Sequence, residues 1–371
     1  MEPSHLIERI ELYKLFIPLK EPFVISLGPI YAAESVLVII RTSSGITGYG
    51  ECSPFMTING ESADTGMVVG QYFGKVLKGK DALDIAARIE DMDRVIYGNN
   101  SIKSAFDMAL YDIAAQAANL PLYAFLGGKR KTDIYTDYTV SIGNPADMAA
   151  AAVRIKAEGY PAIKVKLGKN GADDIKRMKA IREAVGPEIP LRIDANQGWS
   201  VDEAIETLKG LAPLDIQHCE EPIPRWAILD LPKVREQSPI PIMSDESCGD
   251  PHEAERLIRL GACDMMNIKI GKSGGIYKAL QIVKLGEAAG IHMQVGAFME
   301  SRLAMTAFAH FACCSDSIHH YDFDTALMFS EDPIEGGIVY DKGHIELPAS
   351  HGIGAKLRLE WLQRMEQNVV I

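Results

Sequence analysis

The sequence lacks an excess of basic residues and any long hydrophobic run. Its formal net charge is −12 at pH 7, with 38 Lys and Arg against 50 Asp and Glu. This balance argues against binding to nucleic acid or to an anionic membrane, because both require a basic surface. No stretch reaches the roughly 18 apolar residues of a membrane span, and residues 1–5 lack the features of a signal peptide. We therefore expect a cytoplasmic protein with no nucleic-acid or membrane partner.

Two sequence patterns are also missing. The six cysteines show no Cys-x-x-Cys spacing, which disfavours a zinc site or a disulfide framework. The Gly-x-Gly-x-x-Gly pattern of dinucleotide-binding folds is absent as well. The remaining composition, 47% hydrophobic and 24% charged over 371 residues, is that of an ordinary globular protein long enough for two structural units.

From residue 134 onward, short β-rich runs alternate regularly with helical patterns. They recur roughly every 24 to 28 residues, which fits one strand, one helix and two loops per unit. The runs are 135–141, 162–167, 191–194, 216–220, 242–245, 265–270, 292–295 and 318–322. This repetition predicts an α/β fold, a modified (β/α)7–8 barrel of the TIM type, with its active site at the C-terminal strand ends. An open doubly wound sheet is the alternative.

Residues 1–130 do not follow this alternation. Runs at 7–19, 35–41 and 46–51 predict an antiparallel meander, and helical patterns follow at 82–97 and 101–118. We therefore expect an α+β capping domain over residues 1–130 and a catalytic barrel over residues 131–332. Residues 333–371, with a strand at 338–340 and a helix at 356–367, are expected to pack back on the capping domain and complete it.

Lysines end two predicted strands on opposite sides of the barrel. Lys164 and Lys166 end the second strand and Lys269 ends the sixth. Strand alternation places Lys164 and Lys166 on one face. Two bases on opposite sides of a carbon acid can take a proton from one face and return it to the other. The pattern predicts a racemase or epimerase in which Lys166, Lys269 and Lys164 are the catalytic residues.

Acidic residues end the three strands between these lysines. They are Asp194, Glu220 and Asp245, spaced by about 25 residues, which is one acid per βα unit. A single acidic residue at a strand end would be interpreted only as a helix cap. Carboxylate oxygens without His or Cys favour Mg²⁺, with Mn²⁺ as the alternative. The metal would stabilise the ene-diolate formed when an α-proton leaves. Asn196 and Glu246 are expected to orient the ligands or a lysine.

The residues around these positions resemble the enolase superfamily, specifically its muconate lactonizing enzyme subgroup. The resemblance rests on Lys164-Val165-Lys166, Asp194-Ala195-Asn196, Glu220-Glu221-Pro222, Ser244-Asp245-Glu246-Ser247 and Lys269-Ile270-Gly271-Lys272-Ser273-Gly274-Gly275. It extends over nearly the whole chain, including the capping domain. It implies a lysine base with Mg²⁺ stabilising an ene-diolate, as in other members of the superfamily.

Asp322-Phe323-Asp324, at the end of the eighth predicted strand, is similar to the Asp-x-Asp of the dipeptide epimerases. The resemblance implies that Asp322 and Asp324 bind the α-ammonium of a dipeptide, since paired carboxylates form a cation site. Lys164, Thr139 and the backbone around Met299 are expected to contact the substrate. An N-acylamino-acid racemase or o-succinylbenzoate synthase is the alternative, and a barrel that binds metal and ligand without turnover is another.

The segments expected to close the barrel, residues 21–34 and 54–57, contain no Arg or Lys. A glutamate side chain buried there without a cation would be costly. We therefore predict an Ala-Xaa substrate with a small or hydrophobic Xaa, and D-Ala among the candidates for the first residue. The expected specificity residues are Phe23, Ile25, Leu27, Ile30 and Phe55; the alternative is that they only pack the lid. Beyond this small-molecule dipeptide, the expected partner is another copy of the chain in a homo-oligomer.

Overall fold

The N-terminal part of the computed structural model, which describes residues 5–365 and 367–371, is an antiparallel sheet. Strands β1 (Ile7–Ile25), β2 (Gly28–Thr42) and β3 (Thr47–Cys52) form a meander, as predicted. β1 and β2 are longer than predicted, because their pairing resumes beyond Pro18 after a register shift. The segment expected to be a closing loop is therefore a β-hairpin with its turn at residues 26–27.

Four helices follow in this part of the chain: α1 (Ala63–Leu77), α2 (Ile85–Val95), α3 (Asn100–Ala117) and α4 (Leu122–Phe125). Helices α1 and α3 pack on the sheet, whereas α2 packs against both of them and α4 packs against α3. Helix α3 is the central one, and residues 101–115 are all buried. Glycines on β3 let α3 approach the sheet backbone. A Cβ added at Gly50 would lie 1.9 Å from the carbonyl oxygen of Ala105, so β3 accepts no larger residue there without moving the helix.

The second part of the chain is an eight-stranded parallel sheet within the described residues, with neighbours in chain order. Its strands are β4 (Tyr138–Val140), β5 (Ile163–Lys166), β6 (Leu191–Asp194), β7 (Ile216–Glu220), β8 (Ile242–Ser244), β9 (Met265–Ile268), β10 (His292–Val295) and β11 (Ile318–Tyr321). The sheet curls until its edges meet, where the Asp137 N–H donates to the Tyr321 carbonyl at 3.4 Å. The predicted α/β barrel is confirmed, and each strand falls within a predicted run.

Helices on the outside connect these strands. They are α5 (Pro145–Ala157), α6 (Gly171–Val185), α7 (Val201–Leu211), α8 (Leu231–Gln237), α9 (Pro251–Leu260), α10 (Ile270–Ser273), α11 (Ile276–Ala289) and α12 (Arg302–Phe311). Five of them begin at a side-chain cap, since each of the following residues accepts a backbone N–H of the first turn: Asn144, Asn170, Ser200, Asp250 and Ser301. Among the described helices, none combines the length and apolarity required to cross a membrane.

The C-terminal segment contacts both parts of the molecule. It contains β12 (Ile334–Gly336), β13 (Val339–Asp341), β14 (His344–Glu346), β15 (Ala355–Leu357), α13 (Leu359–Arg364) and β16 (Gln367–Val370). Strand β16 pairs with β1, whereas the β13–β14 hairpin joins the barrel, where the Ile345 N–H donates to the Ile134 carbonyl at 2.9 Å. The predicted helix is shortened because strands precede and follow it. Short 3₁₀ helices lie at Ala212–Leu214, Arg225–Ala227, Ala312–Cys314 and Thr325–Met328.

Candidate active site

Charged side chains converge at the C-terminal end of the barrel. Lys166, Asp194 and Glu220 are direct neighbours across β5, β6 and β7. Asp245 follows β8 and Lys269 follows β9. All five side chains are buried. The parallel register therefore brings together the strand-end residues that the sequence spacing had selected.

Lys164 joins three carboxylates. Its Nζ donates to Glu220 Oε2 at 2.7 Å and to Asp322 Oδ2 at 2.8 Å, and lies 3.2 Å from Asp194 Oδ2. Burial lowers the pKa of Lys164, but the carboxylates of Asp322, Glu220 and Asp194 outweigh it and raise the pKa well above its usual value. Lys164 is therefore a fixed positive charge between the acidic groups, although the sequence placed it among the catalytic lysines.

Lys166 and Lys269 approach one cavity from opposite sides of the barrel. Both amines line this cavity, and three strands separate β5 from β9. Lys166 Nζ donates to Asp194 Oδ2 at 2.6 Å, and Lys269 Nζ lies 2.9 Å from Asp245 Oδ2. Burial lowers the pKa of Lys269, but the carboxylates of Asp245 and Glu220 raise it above its usual value. This is the arrangement that two-sided proton transfer requires.

The side chains of Asp194, Glu220 and Asp245 are fully buried, with lysine amines among them. Within the part of the chain that the structure describes, no three His, Cys, Asp or Glu side chains are already grouped to hold a metal ion. The oxygen donors nevertheless fit a hard divalent cation. Glu246 Oε2 and Asn196 Oδ1 are buried without a hydrogen-bond partner. Burial, then the carboxylates of Asp245 and Glu221, raises the pKa of Glu246 well above its usual value, which favours its protonated form.

The backbone is strained next to these acidic residues. Asn196, Gln197 and Glu221 have φ values of 41°, 66° and 34°, in the left-handed region that residues other than glycine seldom adopt. The Asn196 N–H donates to Asp194 Oδ1 at 2.9 Å, and its Nδ2 donates to Glu246 Oε1 at 3.3 Å. The strained turn thus places Asn196 against the Asp194 carboxylate, where it could orient that carboxylate, as predicted from the sequence.

Three residues of this centre were missed by the sequence reasoning. Glu221 Oε2 accepts the Asp245 N–H at 2.7 Å. Lys272 donates to the Asp245 carboxylate and carbonyl, and Asn267 Nδ2 donates to Glu220 Oε1 at 2.8 Å. Glu221 and Lys272 lie inside the sequence motifs that indicated the site, so the motifs themselves contained the signal.

The two aspartates after β11 differ in their partners. Burial raises the pKa of Asp322, but Lys164, Lys166 and Lys269 outweigh it and lower the pKa below its usual value. Asp324 Oδ2 accepts the Thr139 N–H at 2.8 Å, whereas Asp324 Oδ1 is buried without a hydrogen-bond partner. Burial, then the neighbouring carboxylate of Asp322, raises the pKa of Asp324 to about 8. The site therefore offers an uncompensated carboxylate oxygen beside the lysines.

The cavity between these groups is small and mostly apolar on the side of the N-terminal sheet. Its volume is about 40 Å³, close to the space of one water molecule, so a larger ligand requires some of the lining side chains to move apart. The predicted residues Phe23, Ile25, Ile30, Phe55, Thr139 and Met299 all line it. Leu27 does not: it lies in the hairpin turn and is 39% exposed. Phe298 and Ile58 line the cavity and were not predicted.

The sequence matches two family models along most of its length. Residues 147–361 match the enolase C-terminal domain-like family, and residues 9–127 match the mandelate racemase / muconate lactonizing enzyme N-terminal domain. The chain belongs to the enolase superfamily. Its barrel and its N-terminal capping domain are those of that superfamily, as the resemblance implied.

Individual members with known activities are similar over nearly the whole chain. A D-Ala-D/L-Ala epimerase of Cytophaga hutchinsonii is 56% identical over 98% of this chain and 99% of its own. The crystal structure of the dipeptide epimerase from that organism, with Mg and D-Ala-L-Val, has a TM-score of 0.97 and covers 99% of both chains.

More distant members act on different substrates. An L-Ala-D/L-Glu epimerase of Bacillus subtilis is 40% identical over 93% of this chain and 95% of its own. An N-succinyl-L-Arg/Lys racemase of Bacillus cereus is 34% identical over 97% of each chain. All three relatives are epimerases or racemases, and this member of the superfamily is an isomerase as well.

Proposed function

We propose that the protein is a Mg²⁺-dependent dipeptide epimerase. It inverts the α-carbon of the C-terminal residue of Ala-Xaa, where Xaa is small or hydrophobic and D-Ala is among the candidates for the first residue. The observation that supports this most is the buried, unpartnered Asp324 Oδ1 in a cavity that Lys166 and Lys269 also line. The similarity to the C. hutchinsonii epimerase supports the same substrate class.

The two lysines exchange protons with opposite faces of the α-carbon. One neutral amine removes the α-proton, and the opposite lysine, as its ammonium, delivers a proton to the other face. Because the diastereomers are deprotonated from opposite sides, Lys166 and Lys269 exchange roles between the two directions of the reaction. Lys164 keeps its charge and balances Glu220 and Asp322.

Asp194, Glu220 and Asp245 would hold the Mg²⁺, with Mn²⁺ as the alternative metal. When bound, the metal draws electron density from the substrate carboxylate and so makes the α-proton more acidic. Asn196 and Glu246 keep this centre in place, since Asn196 bonds both Asp194 and Glu246.

The dipeptide ammonium pairs with Asp324 and Asp322. A cation at Asp324 Oδ1 compensates a carboxylate whose pKa burial and Asp322 raise to about 8, and a charge-assisted hydrogen bond forms in a site shielded from water. The N–H of Thr139 fixes the other oxygen of Asp324. This pairing selects substrates that have a free α-ammonium.

The side chain of the epimerised residue faces Phe23, Ile25, Ile30 and Phe55. None of these offers a positive charge to an acidic side chain, and a carboxylate buried among them would lose its hydration without compensation. This supports small or apolar Xaa over glutamate.

An N-acylamino-acid racemase is the second candidate, because the B. cereus racemase is 34% identical. An N-acyl group has no positive charge, however, and would leave Asp324 Oδ1 unpaired in the closed site. Such burial of an unpaired carboxylate is costly, which favours the dipeptide.

The test is α-deuterium incorporation in D₂O with Mg²⁺, followed by mass spectrometry over Ala-Xaa dipeptides of all configurations and over N-succinyl amino acids. We expect exchange on apolar Ala-Xaa, lost in the doubly substituted Lys166→Ala, Lys269→Ala protein. Exchange confined to N-succinyl amino acids would establish the second candidate instead. Exchange on neither class would refute the proposed function.

A further inference from the structure

Phe298, in the loop between β10 and α12, contacts the amine of one catalytic lysine. Lys269 Nζ lies 4.8 Å from the centre of its ring, within the distance at which an aromatic face attracts an ammonium. The side chain is 5% exposed, so water competes little for this contact. Asp245 Oδ2 contacts the same amine at 2.9 Å. The ring and the carboxylate together restrict where the amine can lie.

The Phe298 ring is itself fixed by neighbours from two parts of the fold. It stacks on Phe55 with ring centres 5.8 Å apart and planes 29° from parallel. The Phe55 N–H donates to Asn59 Oδ1 at 3.0 Å, and Asn59 Nδ2 donates to Ser101 Oγ at 2.6 Å. On the barrel side, a Cβ added at Gly271 would lie 3.6 Å from the ring. Phe298 thus connects the capping domain to Lys269.

Lys166 has a different aromatic neighbour. Its Nζ lies 5.9 Å from the centre of the Phe23 ring, at the outer limit of an effective contact. Phe23 belongs to the β1–β2 hairpin, whereas the Phe298 ring packs between Phe55 and Gly271 of the barrel. The two lysines therefore differ in how firmly an aromatic ring holds them.

We propose that Phe298 is a positioning residue for Lys269, holding its amine for proton transfer at one face of the α-carbon. The inference rests on the proposed two-lysine reaction and deepens it, because it assigns the ring to one of the two half-reactions. A residue that only shaped the cavity would affect both half-reactions alike, since both occur at the same carbon.

The test separates the half-reactions in single-lysine proteins. With Lys166→Ala, only Lys269 exchanges the α-proton, and with Lys269→Ala, only Lys166 does so. Phe298→Leu is added to each, and the saturated rate of deuterium exchange is measured on the diastereomer that each protein accepts. We expect Phe298→Leu to lower the Lys269-dependent rate about thirtyfold more than the Lys166-dependent rate, the factor that corresponds to a desolvated cation–π contact. Phe23→Leu is the matched control, with the opposite and smaller bias.

Phe298→Tyr keeps the ring and should restore most of the Lys269-dependent rate, which separates the contact from general damage to the fold. Equal losses in the two half-reactions, or no recovery with tyrosine, would overturn the positioning role while leaving the dipeptide epimerase in place. If wild-type protein exchanges only N-succinyl amino acids, the proposed substrate is wrong and the same comparison is made on those compounds. Absence of exchange on every compound would overturn both proposals.

Discussion

The two acidic regions of the active site differ in how their charge is balanced. Next to β6, β7 and β8, Asp194 contacts Lys166, and Asp245 contacts Lys269 and Lys272. After β11, the Asp324 carboxylate accepts a hydrogen bond only from the Thr139 N–H among the residues that the structure describes. Asp322 accepts from Lys164, which also contacts the first region. The first region contains its own cations, whereas the second leaves a carboxylate for a cation from outside.

The pKa values of aspartates in the two regions are therefore shifted in opposite directions. Burial raises the pKa of Asp245, but Lys269 and Lys272 outweigh it and lower the pKa well below its usual value. The pKa of Asp324 rises to about 8, from burial and then from Asp322. Both aspartates are fully buried, so the comparison attributes the difference between their pKa values to the nearby lysines rather than to burial. It predicts a metal and two bases in one region and a substrate ammonium in the other.

Removal of the metal is expected to have the largest effect. Treatment with EDTA should lower α-proton exchange on the active dipeptide by at least about a thousandfold, because the acidity of the α-proton depends on a Lewis acid at the carboxylate. Added Mg²⁺ should restore exchange, and Mn²⁺ provides the comparison metal. Exchange that persists after complete chelation would contradict the role of Asp194, Glu220 and Asp245.

Asp324→Asn tests the second region alone. We expect KM for the dipeptide to rise about 10- to 100-fold, since a hydrogen bond to a charged group in a buried site is lost, while the Mg²⁺ requirement stays the same. Steady-state kinetics over a range of Mg²⁺ concentrations measures both. Asp316→Asn, at an exposed position on the same part of the chain, is the control. An unchanged KM with Asp324→Asn would contradict the assignment of substrate-ammonium binding to the second region.

The pH dependence of kcat/KM should also report on Asp324. Its pKa of about 8 means that the carboxylate gains a proton as the pH falls below 8, and a neutral acid cannot pair with an ammonium. The charged groups acting on it are Asp322, Asp137 and Lys164.

We therefore expect kcat/KM to fall about threefold from pH 8 to pH 7, if one proton at Asp324 controls binding and the dipeptide amino group has a pKa near 8. It should fall again at higher pH, because the dipeptide amino group itself loses its proton near pH 8. In Asp324→Asn the acid limb centred near pH 8 should disappear, whereas the limb from the lysine that must be neutral to remove the α-proton should remain. An acid limb at the same pH in that variant would assign it to another group.

Ile30→Arg should have the smallest effect, on selectivity alone. Ile30 is partly buried and lines the cavity, so an arginine there could extend its guanidinium towards an acidic side chain. We expect the ratio of kcat/KM for Ala-Glu over an apolar Ala-Xaa to rise about two- to threefold, as expected for a partly exposed ion pair. Leu27→Arg, outside the cavity, should change this ratio less. If the kcat/KM ratio changed equally in both variants, Leu27 would count as a specificity residue after all.

The strands and the principal charged residues were predictable because a parallel barrel brings every strand's C-terminal end to one place. Local sequence could not show where the β1–β2 hairpin turns. Leu27 was expected among the specificity residues because it lies in the apolar closing segment, but the turn at residues 26–27 places it outside the cavity lining. Phe298 was missed because its role depends on contacts with Phe55 and Lys269, which are distant in sequence.

The most direct test of the two-lysine account is ¹H NMR of α-proton exchange in D₂O, with each pure diastereomer of the active dipeptide, in Lys166→Ala and Lys269→Ala proteins. The account predicts that inversion falls by about 10²- to 10⁴-fold in both, while each variant still exchanges one diastereomer, a different one in each case, without inverting it. Inversion at the wild-type rate in either variant, or exchange of the same diastereomer by both, would contradict two lysines on opposite faces of one carbon.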